Sequence, residues 1–120
     1  MSFDWREYFN LAKFLSVQPG DGFAQEAALR SAVSRAYYAA YCHALGFARV
    51  RHGFRPRGTA DDHADLVAHF RGRGDVQTSK KLERLRDWRN QCDYDDVVQG
   101  IKHLLGSAMQ DAEQVLQSLP

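Results

Sequence analysis

The stretch RSAVSRAYYAAYCHALGF, Arg30 to Phe47, decides the fold of this 120-residue chain. It is rich in alanine and contains no proline, which predicts a helix. A helix that is apolar on nearly all sides is typical of the centre of a bundle, so we expect the rest of the chain to pack around it. Its apolar residues form three stripes: Leu29, Val33, Ala36, Ala40, Ala44 and Phe47; Tyr37, Tyr41 and Leu45; and Tyr38 with Cys42.

Helical patterns also occupy the chain on both sides of this central helix, which we place at about Phe23 to Val50, after a turn at 18–22. Alternating β-branched runs and Asn-Gly hairpin turns are absent, so strands are not expected. The pattern predicts an all-α fold, an up-and-down antiparallel bundle of four to five helices in a single domain over residues 1–120. The capping residues expected to start the other helices are Ser2, then Thr59 or Asp61, then Asp75 or Ser79, and finally Asp95 with Asp96.

The composition excludes several classes of protein. No apolar run is long enough to span a membrane, and the N-terminus does not resemble a signal peptide. Cys42 and Cys92 are fifty residues apart, so we expect reduced thiols in a cytoplasmic protein. The histidines and cysteines lack metal-site spacing and the glycines form no phosphate loop, so we expect neither a metal nor another cofactor.

Arg35 is the one charged residue well inside the apolar stretch. A buried guanidinium requires a carboxylate or phosphate partner. The natural supplier is the acidic cluster of Asp93, Asp95 and Asp96. Two compatible interpretations stay open, a structural ion pair that joins two helices and a polar site where both helices meet a ligand.

The segment 84–96 concentrates arginines and carboxylates on one helix edge. Arg86 and Arg89 are three residues apart, and Arg89 and Asp93 are four apart. Arginine binds phosphate through two parallel hydrogen bonds, and Tyr94 supplies a hydroxyl and a ring for stacking. The alternative is a solvated helix face with ordinary ion pairs.

A basic segment follows the central helix, and its two glycines and one proline predict a loop over 49–58. Arginines interleaved with aromatic rings suit a phosphate backbone and unstacked bases. The alternative is a flexible loop whose charges offset the acidic residues of 61–65. The residues concerned are Arg49, Arg51, His52, Arg55 and Arg57, with Phe47 and Phe54 interleaved.

Three of these segments together resemble the HEPN family, the nucleotide-binding domains of higher eukaryotes and prokaryotes. Ser34–Tyr41 (SRAYYAAY) resembles the family's Ser-Arg-Ala-Tyr-Tyr helix. His63–Phe70 (HADLVAHF) resembles a short histidine-led helix of one branch, and Arg89–Tyr94 (RNQCDY) that branch's Arg-Asn-x-x-Asp-Tyr signature. The order and spacing agree over about 23–96.

The resemblance implies an up-and-down bundle that forms a homodimer, with the arginine motif at the dimer cleft. Many members are metal-independent ribonucleases of toxin–antitoxin or defence systems, often encoded beside a minimal nucleotidyltransferase. In those enzymes a histidine four to six residues beyond the arginine completes a composite site. The arginine would stabilise charge on phosphorus and the histidine would transfer a proton.

This chain departs from that pattern, because the positions where the histidine belongs after Arg89 hold Tyr94, Asp95 and Asp96. His63 could still reach the cleft from its own helix, which we state as a hypothesis. The candidate catalytic residues are therefore Arg35, Arg89, Asp93 and Tyr94, with His63 in addition, flanked by the nucleic-acid-binding arginines of 49–57. Arg89 would contact phosphate, Asp93 would orient Arg35 or Arg89, and Tyr94 would stack or donate a hydrogen bond.

Three functions remain open from the sequence. The first is a toxin-like HEPN protein that binds RNA at a basic dimer cleft, with or without cleaving it. The second is a non-catalytic subunit that binds a nucleotide or docks a nucleotidyltransferase, which in related pairs can modify a motif tyrosine, here Tyr94. The third is a plain dimerisation module in which the Arg35–Asp93 pair is structural.

Overall fold

The computed structural model describes residues 2–17 and 24–120, and within them it contains five α-helices and no strand. The all-α prediction is therefore confirmed. The predicted turn at 18–22 and the predicted helix start at Phe23 lie outside the described residues. The helices are α1 Arg6–Ser16, α2 Gln25–His52, α3 Asp62–Gly72, α4 Val76–Tyr94 and α5 Ile101–Ser118.

The long helix α2 holds the fold together, as its sequence predicts. It packs against α1, α4 and α5, while α3 packs on α4. Its alanines are buried at successive turns, which lets neighbouring helices approach closely, and all five helices contribute to one hydrophobic core. Five of the six residues of the first predicted stripe, Leu29 to Ala44, are buried, and Phe47 is half-buried.

The helix starts agree with the sequence prediction in part. Asp75 does cap α4, since its carboxylate accepts the backbone N–H of Thr78 at 3.1 Å. Ser2 does not cap α1, which begins four residues later, where Asp4 accepts the N–H of Arg6 at 3.0 Å. Asp61 precedes α3 without a side-chain capping bond.

Two corrections concern the ends of α2 and α5. α2 continues through His52 to Gly53, whose φ of +67° ends the helix, so Arg49 and Arg51 lie on its last turn and not in a loop. α5 does not begin at the predicted acidic residues 95 and 96. It starts at Ile101, after Gly100 turns the chain with a φ of +60°. None of the described helices has the length and apolar character needed to cross a membrane.

Candidate functional site

The contact between α2 and α4 brings together most of the predicted site residues. The guanidinium carbons of Arg35 and Arg89 lie 5.1 Å and 5.3 Å from the centre of one ring, that of Tyr38. Arg35 and Tyr38 come from α2, and Arg89 comes from α4. We call this group, with Asp93 and Tyr94, the arginine–tyrosine cluster.

Arg89 is the most constrained member of the cluster. Its Nε lies 2.8 Å from Asp93 Oδ2, and its Nη1 donates to Asn90 Oδ1 at 3.1 Å. Its Nη2 lies 3.5 Å from the Tyr94 hydroxyl, whose ring centre is 5.4 Å from the guanidinium carbon. The buried Nε–H is not aligned on Asp93 as a hydrogen bond, so the contact is an ion pair. Its side chain is 19% exposed, and Arg89 thus presents a fixed, partly accessible cation.

The predicted pairing of Arg35 with the acidic cluster is wrong. Arg35 is half-buried and forms no ion pair with any described residue; besides Tyr38 it stacks on Tyr8 of α1, 4.8 Å from the ring centre. Asp93 instead pairs with Arg89, one helical turn before it, and lies 3.4 Å from the Ser34 hydroxyl. Aromatic faces attract a guanidinium without removing its hydrogen-bond donors, so Arg35 keeps donors for a ligand.

Arg30, and not Arg35 as predicted, is the arginine of α2 that contacts the segment around the acidic cluster. Its guanidinium donates to the carbonyl oxygens of Cys92, Asp95 and Asp96, at 3.2, 2.5 and 3.1 Å. It therefore ties α2 to the C-terminal end of α4, where unpaired carbonyls attract cations. This contact positions the segment that carries Asp93 and Tyr94. The signal available in the sequence was an arginine one helical turn before Ser34, with Glu26 a further turn before it.

His63 lies behind the cluster and does not join it. Its Nδ1 is 2.9 Å from the hydroxyl of Tyr37, and its side chain is stacked beside Tyr41. Only 8% of the residue is exposed, and burial, aided by the positive charge of Arg86, lowers the His63 pKa to about 4. Burial likewise raises the pKa of Tyr37. His63 is consequently a neutral, largely buried imidazole at pH 7, on the wall of a small pocket that Arg86 also lines.

The four arginines predicted to bind nucleic acid lie elsewhere, on what we call the arginine edge: Arg49, Arg51, Arg55 and Arg57. Arg49 follows Arg35 on the same helix by fourteen residues, which is about 21 Å along the axis. The edge therefore does not flank the cluster.

Among the ion pairs of the described residues, those of the arginine edge all involve Arg57. It makes two hydrogen bonds to Asp65, at 2.9 and 3.1 Å, and lies 3.6 Å from Asp61. Asp62, the third nearby acid, accepts the backbone N–H groups of residues 57 and 58. Arg49, Arg51 and Arg55 are exposed and form no ion pair within the described ranges. The expectation that acidic neighbours offset the loop charges thus holds for Arg57 alone.

Comparisons with protein-family models, with curated proteins and with solved structures give no match. Residues 2–17 and 24–120 contain no group of three or more histidine, cysteine or acidic side chains arranged to hold a metal ion.

Proposed function

We propose that this protein is a cytoplasmic, homodimeric HEPN-type bundle of a toxin–antitoxin or defence system that binds RNA or a nucleotide at the arginine–tyrosine cluster. One observation carries the proposal: two guanidinium groups lie over the single ring of Tyr38, and among the described residues only one of them has a carboxylate partner. Such an arrangement offers a phosphate one cation with all its donors available beside a second that is held in place.

The chemistry of each member supports a ligand with a phosphate and a base. Guanidinium groups bind phosphate oxygens through paired N–H donors. Asp93 fixes Arg89 before the ligand arrives, which reduces the entropy lost on binding. Tyr94 is 70% exposed, so its ring is available to stack on a base, as aromatic side chains do in RNA recognition.

The positions of the quoted motifs support the HEPN assignment. SRAYYAAY lies on α2, HADLVAHF on α3 and RNQCDY at the end of α4. A homodimer or a partner at this end of α4 is what the motif resemblance implies.

The geometry supports binding better than cleavage. A general acid or base must reach the reacting oxygen, directly or through one water molecule. His63 is largely buried and hydrogen-bonded to Tyr37. Its pKa of about 4 leaves it without the proton that a leaving group would need at pH 7. Cleavage by this fold would therefore require His63 to leave Tyr37.

The test measures both activities in EDTA. Binding of a nucleoside monophosphate and of a short RNA is followed by calorimetry, and cleavage of a mixed RNA pool by gel, for wild type and Arg89→Gln. We expect the variant to bind the monophosphate at least tenfold more weakly, since a charged hydrogen bond contributes about 1.5–3 kcal/mol. Arg57→Gln, which removes an arginine already paired with Asp65, is the matched control.

The outcomes separate the parts of the proposal. Unchanged monophosphate affinity in a folded Arg89→Gln protein would refute the cluster as the binding site. RNA cleavage by wild type that is lost in both Arg89→Gln and His63→Gln would establish the ribonuclease function. A monomeric mass in solution at micromolar concentration, measured by light scattering, would contradict the homodimer.

A second candidate function rests on the exposure of Tyr94. A minimal nucleotidyltransferase partner would transfer a nucleotide to it: the Tyr94 oxygen attacks the α-phosphorus of a nucleoside triphosphate, loses its proton, and pyrophosphate leaves. The hydroxyl lies 3.5 Å from Arg89 Nη2, so the new phosphodiester would form beside a cation. Peptide mass spectrometry of protein from its native cell would detect the nucleotide on Tyr94. Its absence when a co-purifying nucleotidyltransferase and triphosphate are supplied would exclude this function.

A further inference from the structure

An open groove lies near the C-terminal end of α2. Its aromatic side approaches the arginine–tyrosine cluster, because the rings of Phe3 and Trp5 contact Tyr8, which in turn contacts Arg35. Its volume is about 730 Å³, and one side is formed by residues that precede or begin α1, Phe3, Trp5 and Arg6. The other side is a stripe of α2 that includes Gly46 and Phe47. Nothing lies within 4 Å of where a Gly46 side chain would begin, so the groove is open at this point.

Three arginines line this groove, and two of them have no acidic partner among the described residues. Arg49 and Arg51 line it, and neither forms an ion pair within the described residues. Arg6 also lines it, 3.8 Å from the exposed carboxylate of Asp4. The groove therefore has a net positive charge and attracts a polyanion.

Aromatic rings accompany these cations. Phe3 is 51% exposed and touches Trp5 edge to face, with ring centres 4.9 Å apart. The guanidinium carbon of Arg51 lies 5.3 Å from the ring centre of Phe47. Exposed rings beside arginines are the combination by which proteins hold unstacked bases and track the backbone that joins them.

A second depression shares one residue with the groove. That depression, of about 510 Å³, is lined by Arg49, Gly53, Phe54, Arg55 and Pro56. Because Arg49 lines both, the two depressions are neighbours, and each contains arginines and a phenylalanine. A single nucleotide would occupy only one of the two depressions, whereas a chain of nucleotides would fill both.

We infer that this surface, from Phe3 across Arg51 and Arg49 to Arg55, binds single-stranded nucleic acid as a second site. It shares no residue with the arginine–tyrosine cluster and does not depend on the function proposed for that cluster. Phosphates would contact Arg49, Arg51 and Arg55, and bases would stack on Phe3 and Phe54. A duplex would use only the phosphate contacts, because its bases are already stacked.

The test is made in the Arg89→Gln protein, which removes the fixed cation of the cluster. Fluorescence anisotropy measures the affinity of a fluorescein-labelled twelve-nucleotide uridine strand at several salt concentrations. We expect Arg49→Gln/Arg51→Gln to bind at least tenfold more weakly. The slope of log affinity against log salt should fall by about 1.4, since each phosphate contact with a single strand contributes about 0.7. Phe3→Ser should weaken binding at least about fivefold.

Arg57→Gln is the matched control, because this arginine belongs to the same edge but is paired with Asp65. It should leave the affinity and the salt slope unchanged. Equal loss in Arg57→Gln and Arg49→Gln/Arg51→Gln would overturn the inference. So would equal affinity for a duplex, a mononucleotide or polyglutamate, and so would an unchanged affinity in the double variant.

A second readout uses Cys42, which lines the groove, and Cys92, which is buried near the cluster. The twelve-nucleotide strand should slow alkylation of Cys42 at pH 9 at least threefold in the Arg89→Gln protein. Alkylation of Cys92 should not respond to the strand. No protection of Cys42 at saturating strand would overturn the inference even if the anisotropy measurement showed binding.

Discussion

The arginine–tyrosine cluster and the arginine edge use the same residue type in opposite ways. Arg89 is 19% exposed in its side chain and fixed by Asp93 and two tyrosine rings. Arg49 and Arg55 are exposed and have no ion pair among the described residues. The first arrangement suits one small ligand in a defined orientation. The second suits a long, variable polyanion.

For the two arginines that share α2, Arg35 and Arg49, the difference in surroundings arises from their positions along the helix. Arg35 lies in the middle of α2, where α1 and α4 cover two sides, whereas Arg49 lies on the last turn, next to the open groove. A guanidinium in the middle must find aromatic or carboxylate neighbours because burial without them is costly. At the end of the helix water replaces those neighbours.

The largest expected effect is on stability at acid pH. It concerns His63 near the cluster and, for comparison, His52 with His69 near the edge. His63 titrates at about 4 in the folded protein and near 6.5 when unfolded. Because the unfolded chain takes up the proton first, the stabilising contribution of His63 is complete above pH 6.5 and falls as the pH approaches 4. The loss is about 3 kcal/mol at pH 4. Urea unfolding between pH 7 and 4 should therefore show a less steep decline for His63→Gln than for wild type.

The counterpart at the edge is the contact between His52 Nδ1 and His69 Nε2, at 2.9 Å. Burial lowers the pKa of both groups, helped by Arg73 at His52 and by His52 itself at His69. The sign is the same, but both rings are only half-buried. His52→Gln/His69→Gln should reduce the acid sensitivity less than His63→Gln does. A larger reduction in the double variant would reverse the comparison.

The next effect in size concerns Arg30, which holds the end of α4. Arg30→Met leaves three carbonyl groups without this donor, and we expect it to lower the free energy of unfolding by about 2 kcal/mol. The ligand affinity of the cluster should fall as well, because Asp93 and Tyr94 lie between the carbonyl groups that Arg30 holds in place. Urea unfolding and calorimetry measure the two effects. Arg49→Met, at the edge, should leave the urea midpoint unchanged, and an equal loss there would show that Arg30 has no special structural role.

The contrast between Arg30 and Arg35 also shows how far the sequence alone could go. The all-α class followed from periodicity, and the pairing of Arg89 with Asp93 followed from their four-residue spacing on one helix. Contacts between helices did not follow. Which arginine of α2 faces the end of α4 depends on the rotation of one helix against the other, and neither spacing nor composition specifies that angle.

The placement of the arginine edge shows a second limit. The glycines and proline of 49–58 predicted a loop, yet helix formation continues to His52 because nothing before Gly53 interrupts it. The grouping of Phe3 and Trp5 with Arg49 was not visible either, since it joins residues about 45 positions apart in the chain through the packing of α1 on α2. Tyr38 was named within the helix motif, but its contact with both Arg35 and Arg89 required the structure.

A smaller effect is expected from the rings under the guanidinium groups. Tyr38 lies under two, those of Arg35 and Arg89, and Phe47 lies under one, that of Arg51. Replacing each ring by leucine should cost about 1–2 kcal/mol at Tyr38 and about half of that at Phe47. Urea unfolding checks this order, with Tyr38→Phe as the control that keeps the ring. If Arg35→Met costs the same in the Tyr38→Leu protein as in wild type, the two side chains are not coupled.

The smallest expected effect on stability is that of Arg57→Gln. The same variant also tests how the arginine edge binds a strand. Removing Arg57 leaves the carboxylate of Asp65 exposed to water, so the protein should be slightly less stable only at low salt. In 1 M NaCl the urea midpoints of variant and wild type should coincide, because charges are then screened beyond about 3 Å.

The Asp65 carboxylate that Arg57 leaves behind adds a negative charge near the edge. If strand affinity is nevertheless unchanged, contact with phosphate and not the total charge of the edge decides binding. If the affinity falls as it does for Arg49→Gln/Arg51→Gln, the edge binds the strand only through its total charge, and paired and unpaired arginines contribute alike.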